Sequence, residues 1–112
     1  MRKTAVVILN WNGLVFLKMF LGTVIKYSID NETSVFVADN GSTDGSPEWI
    51  AENFREVKLI RLGKNHGFAG GYNLALNQID ARYFVLLNSD IEVTQDWLRP
   101  LVRFMDNNPD VA

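Results

Sequence analysis

Apolar residues in this chain come in short, β-rich runs separated by stretches with helical spacing. Residues 4–9, Thr-Ala-Val-Val-Ile-Leu, predict a buried strand, with three β-branched residues after Thr4. Residues 13–27 predict a helix, because Leu14, Leu17, Leu21, Val24 and Ile25 share one face at helix spacing. Residues 33–38 predict a second strand. A second helix opens at Ser46 and runs to about residue 53. There Ser46 is placed to cap, Pro47 suits the first helical position, and Glu48 faces the positive end of the dipole. Residues 57–62 alternate and give a third strand; residues 67–79 contain a helix, clearest after Gly71. Residues 82–87 give the fourth strand, and residues 95–107 a last helix that Pro109 stops.

Strand and helix therefore alternate throughout, which predicts an α/β, Rossmann-like, mainly parallel sheet with helices on both faces. A doubly wound nucleotide fold usually carries more than four strands. The chain stops at Asp110-Val111-Ala112, where the next strand is due. The expectation is one unit, residues 1–112, forming the N-terminal part of a longer protein.

Composition narrows the partners. The chain has 112 residues, 47% hydrophobic and 21% charged, with a formal net charge of -2, as in an ordinary soluble domain. No basic block points to nucleic acid. The absence of cysteine removes disulfide and thiolate chemistry and permits a reducing compartment. The apolar start is cut short by Asn10, Trp11 and Asn12, unlike a secretory leader. Residues 14–25 are very apolar, but Lys18 interrupts them and they are too short to span a bilayer. The expected location is cytoplasmic, with peripheral placement at the inner face of a membrane allowed.

The candidate chemistry lies at the strand ends, where open parallel sheets bind ligands. The first strand ends in Asn10-Trp11-Asn12-Gly13 and the second in Asp39-Asn40-Gly41-Ser42-Thr43-Asp44. The third leads into Gly63-Lys64-Asn65-His66-Gly67, and the fourth ends in Asn88-Ser89-Asp90. Each loop alone could be an ordinary turn; four on one edge favour a ligand site. Asp39, directly after a buried strand, can accept from a nucleobase N–H or a ribose hydroxyl, or can form an Asx-turn or a cap. Gly63, Gly67, Gly70 and Gly71 allow close backbone approach, but neither glycine-rich phosphate signature is present. His66, the only histidine, argues against a zinc cluster and reads as a loop residue. Asp90 suits Mg²⁺ or Mn²⁺ shared with phosphates, and Glu92 reads as a solvated acid.

Taken together, these motifs resemble a family-2 glycosyltransferase of the GT-A fold. The likeness rests on Asn10-Trp11-Asn12, "DNGSTDGS" from Asp39 to Ser46, "NHGFAGGYNLAL" from Asn65 to Leu76, and "LNSD" from Leu87 to Asp90. The resemblance implies a nucleotide-diphosphate sugar of deoxythymidine or uridine type and a divalent cation, Mg²⁺ or Mn²⁺. It further implies inverting transfer to a hydroxyl of a carbohydrate or lipid-linked acceptor, in polysaccharide or cell-wall synthesis. Asp39 would bind the base, with Asn10, Trp11 and Asn12 near base and ribose. Asn65, Gly67, Gly71 and Asn73 would border that pocket, with Asn88 and Ser89 nearby, and Asp90 would hold metal and diphosphate. Asn88 stands where the family often has the first acid of D-x-D, which resembles the rhamnosyltransferase-like branch and implies weaker metal binding. The catalytic residue, a general base, is expected beyond Ala112, so the chain alone would bind donor without transferring it. The outer edge of the fourth strand would then be uncovered, and the isolated chain is expected to self-associate. The alternatives fit less well. A nucleotidyltransferase wants a basic glycine-rich loop after the first strand, and a receiver-like binding module wants acids there.

Overall fold

The computed structural model describes residues 2–111. The apolar runs form β1 (Arg2–Asn10), β2 (Thr33–Asp39), β3 (Lys58–Arg61) and β4 (Ala81–Leu87). Between and after them lie α1 (Leu14–Ser28), α2 (Ser46–Asn53), α3 (Gly67–Leu76) and α4 (Arg99–Asn107). The strands make one sheet in the order β3-β2-β1-β4, every pair parallel. Each crossover carries a helix, as parallel neighbours require.

Both faces of the central strands are covered, which is why β1 and β2 read as unbroken apolar runs. On one face Val6, Ile8, Val35 and Val37 pack with Leu17, Leu21 and Val24 of α1 and Ile50 of α2, joined by Val93 and Leu98. On the other, Ala5, Val7 and Ala38 pack with Tyr72 and Ala75 of α3. Gly71 permits the close approach of α3, since a Cβ there would lie 2.9 Å from Leu9 Cδ1 and 3.0 Å from Asn40 Nδ2. β4 departs from the buried pattern. Its residues alternate, and Phe84 and Leu86 are 40% and 49% exposed.

Two local expectations are corrected, and one helix is bounded more closely. Ser46 does not cap α2; Gly45 takes that place at φ +83, and Ser46 lies inside the helix, with Pro47 in the first turn as expected. α3 lies within the expected stretch 67–79 and ends at Leu76, after which the N–H groups of Gln78 and Ile79 bond back three residues to Ala75 and Leu76 in a tightened turn. α4 begins at Arg99 rather than residue 95. Asp96 has φ +62, incompatible with a helix, and the Trp97 indole N–H donates to Ser28 Oγ at 3.0 Å instead. The other boundaries lie within two residues of those expected.

Candidate functional site at the carboxyl edge of the sheet

Asn10 and Asp39 are register partners at the ends of β1 and β2. Asn10 is fully buried and Asp39 is 4% exposed. Asn10 Nδ2 donates to Asp39 Oδ1 at 2.9 Å and to Ser46 Oγ at 2.9 Å, with Ser42 Oγ at 3.3 Å. Asn10 Oδ1 accepts from the Gly13 N–H at 3.2 Å. The Ser42 N–H donates to Asp39 Oδ2 at 2.9 Å. Each carboxylate oxygen of Asp39 thus has one of these internal donors and keeps capacity for a second. Asn10 holds this carboxylate from beneath. Gly13 must lack a side chain here, because a Cβ would sit 2.5 Å from Asn10 Oδ1 and 3.2 Å from Ser89 Oγ. That second distance also places the end of β4 beside the end of β1.

Asn12 and Trp11 stand outside this core. Asn12 is in the left-handed region at φ +52, its Oδ1 accepts from the Thr43 N–H at 2.7 Å, and its own N–H donates to Ser42 Oγ at 2.8 Å. Trp11 is 57% exposed above the same edge. Asp44 links the turn to two helices: Oδ2 accepts from the Leu14 N–H at 3.0 Å, and Oδ1 accepts from the Ser46 N–H at 2.9 Å and from Ser46 Oγ. Burial pushes the Asp44 carboxyl up, but hydrogen bonds from Ser46 and the Leu14 N–H outweigh it, leaving it below its ordinary 3.8.

The loop between β3 and α3 forms the next wall. Asn65 Oδ1 accepts from the Gly67 N–H at 2.7 Å, an Asx-turn that starts α3. The His66 ring Nε2 lies 3.2 Å from the Leu62 carbonyl, so its side chain folds back on the loop. Gly71 is buried beneath and Asn73 is exposed on α3. At the end of β4, Asn88 and Asp90 are exposed and Ser89 is half-buried. Among the described residues no three His, Cys, Asp or Glu side chains cluster to hold a metal. No described helix is long and apolar enough to cross a membrane.

The polar residues named from sequence thus do share one edge, with Asn10 and Gly71 beneath it. Sequence reasoning missed the internal work of Asn10, Asn40, Ser42 and Asp44. For Asp44 the signal was present as Asx-turn spacing, since Asp44-Gly45-Ser46, like Asn65-His66-Gly67, places an acceptor two residues before an N–H at a helix start; Asn10, Asn40 and Ser42 find their partners across the fold and carry no local signal.

Residues 5–112 match the model of the family described as glycosyl transferase family 2. Over 63 residues the chain is 33% identical to the N-acetylglucosaminyl-diphospho-decaprenol L-rhamnosyltransferase of Mycobacterium tuberculosis, covering 56% of this chain and 20% of that protein. An uncharacterised glycosyltransferase of Bacillus subtilis is 28% identical over 112 residues, 98% of this chain and 29% of the relative. The crystal structure of S. aureus TarS 1-349 in complex with UDP-GlcNAc superposes with a TM-score of 0.82 at 25% identity, covering 96% of this chain and 32% of that one. The matched segments therefore cover between 20% and 32% of the length of these proteins.

Proposed function

This chain belongs to glycosyl transferase family 2, and we propose that it forms the donor-binding part of an enzyme that transfers a sugar from a nucleotide diphosphate to a hydroxyl acceptor. The observation that carries this is Asp39: a buried carboxylate, held by Asn10 and the Ser42 N–H, at the sheet edge where α/β folds take ligands. In this proposal Asp39 accepts from the base, Trp11 and Asn12 flank base and ribose, and Asn65, Gly67 and Asn73 border the pocket. Asn10 and Gly71 act from below, as supports rather than contacts. The UDP-GlcNAc bound by TarS in its complex supports a uridine-type donor. The mycobacterial relative's name supports a lipid-linked acceptor and, with it, a place at the membrane face.

Asn88 and Asp90 offer an amide oxygen and one carboxylate, both exposed at the end of β4. That donor set fits a hard cation shared with phosphates, as Mg²⁺ and Mn²⁺ are commonly held. Bound there, the cation would neutralise charge on the leaving diphosphate. In the transfer itself the acceptor oxygen bonds to the anomeric carbon, the bond to the diphosphate breaks, and the acceptor proton passes to a base.

Calorimetric titration of UDP and deoxythymidine diphosphate, with and without Mn²⁺, tests the site. Asp39→Ala should weaken nucleotide and free nucleoside alike, by about tenfold or more. Asp90→Ala should abolish only the increment due to Mn²⁺. Nucleoside binding unchanged in Asp39→Ala would reduce Asp39 to a turn residue.

A further inference from the structure

Asn40 follows Asp39 at the end of β2 and is 3% exposed. Its side chain reaches across to the loop that precedes α3. Nδ2 donates to Asn65 Oδ1 at 3.3 Å and to the Gly67 carbonyl at 3.1 Å, and Oδ1 accepts from the His66 N–H at 2.9 Å. Both amide hydrogens and one oxygen lone pair are thereby committed to three consecutive residues. The neighbouring Gly41 completes the fit. A Cβ on it would lie 2.6 Å from the Lys64 carbonyl carbon and 2.8 Å from the Asn65 nitrogen, so the loop rests directly on the β2 turn. Gly63 and Gly67 both sit at positive φ, which leaves this loop little intrinsic preference for one shape.

We infer that Asn40 is a positioning residue for the donor nucleoside: it clamps residues 65–67 as a preformed wall beside Asp39, without itself touching the ligand. This rests on the donor-site reading above. An asparagine is required by chemistry rather than size. An aspartate of the same shape would turn a carboxylate oxygen toward two acceptors, Asn65 Oδ1 and the Gly67 carbonyl, and would release the loop. A wall ordered before the ligand arrives removes an ordering cost from binding.

The test compares the 112-residue chain with Asn40→Asp and Asn40→Ala, the second removing the whole amide and its bonds to residues 65–67 without adding charge. Uridine, UDP and deoxythymidine diphosphate are titrated with and without Mn²⁺, the melting temperature is recorded, and tryptic cleavage after Lys64 is timed. The expected result is a loss of about tenfold in affinity for uridine and UDP alike in both variants. The factor gained from Mn²⁺ should be unchanged, and cleavage after Lys64 should be faster. Unchanged affinity in folded variants overturns the inference, as does a loss confined to the Mn²⁺ increment. A reduced binding stoichiometry at unchanged affinity, or failure of both variants to fold, makes Asn40 a fold determinant only and also overturns it. If the wild-type chain binds none of the three ligands, the donor-site reading itself falls and the inference falls with it.

Discussion

The network under the sheet edge is organised by one amide. Asn10 supplies donors to Asp39 and Ser46 and an acceptor to the Gly13 N–H, from a side chain that is itself fully buried. Asn10→Ala leaves a buried carboxylate short of a donor and should cost about 1–3 kcal/mol. Asn10→Asp sets a second carboxylate against Asp39 and should cost more, about 3–5 kcal/mol. Urea denaturation of the two variants checks the ranking; equal stabilities would mean that the network does not act as described. Asp44 gives a pH signature. Its folded carboxyl lies below the ordinary 3.8, so its contribution is present above that value and is lost as pH falls through the lower folded value. Asp44→Asn should therefore flatten the fall of melting temperature below about pH 4; an identical acid limb in both proteins would contradict this.

Among the elements, α4 is held differently from α1. α1 buries Leu17, Leu21, Val24 and Ser28, whereas α4 has no fully buried residue. α4 adds only the partly buried Val102 to the core and is tied further by polar contacts: Lys3 Nζ pairs with Asp106 Oδ2 at 2.6 Å, and Tyr83 Oη donates to Asp106 Oδ1 at 2.8 Å. The Lys3 ammonium, then the Tyr83 hydroxyl, hold the Asp106 carboxyl below its ordinary value. These groups are solvent-accessible, so salt screens them. Hydrogen exchange should find the α4 amides open well before those of α1, and Asp106→Ala should speed α4 exchange without changing α1. Equal protection of the two helices would refute this ordering.

Among the described residues the sheet has β4 at one edge. Tyr83 to Leu87 carry no charge and no proline. Phe84 and Leu86 are exposed on one face, and a groove of about 480 Å³ lined by Tyr83, Val85, Leu101 and Met105 runs along the strand. An apolar edge with free N–H and C=O groups is a template for a second strand. We expect two copies of this chain to pair there, giving light scattering that rises steeply with concentration. A stable monomer at high concentration, with slow exchange at residues 83–87, would show that the edge is protected.

The alternation of strand and helix and the direction of the sheet were legible in the chain alone, because period and β-branching are local properties that tertiary packing here only reinforced. That pattern also put the polar loops on one edge, since parallel strands leave all their carboxyl ends on one side. Element ends were less legible: Trp97 left the last helix to reach Ser28, sixty-nine positions away, and no local pattern encodes that partner. The division of labour within the site was likewise settled only in three dimensions. Asn10 and Asn12 look alike in the chain, yet one is buried beneath Asp39 and the other stands exposed. Asn40 looks like a turn residue until the loop 25 positions on closes over it. A buried amide takes its role from whichever donors and acceptors the fold brings within about 3 Å, and those come from strands and loops far apart in sequence.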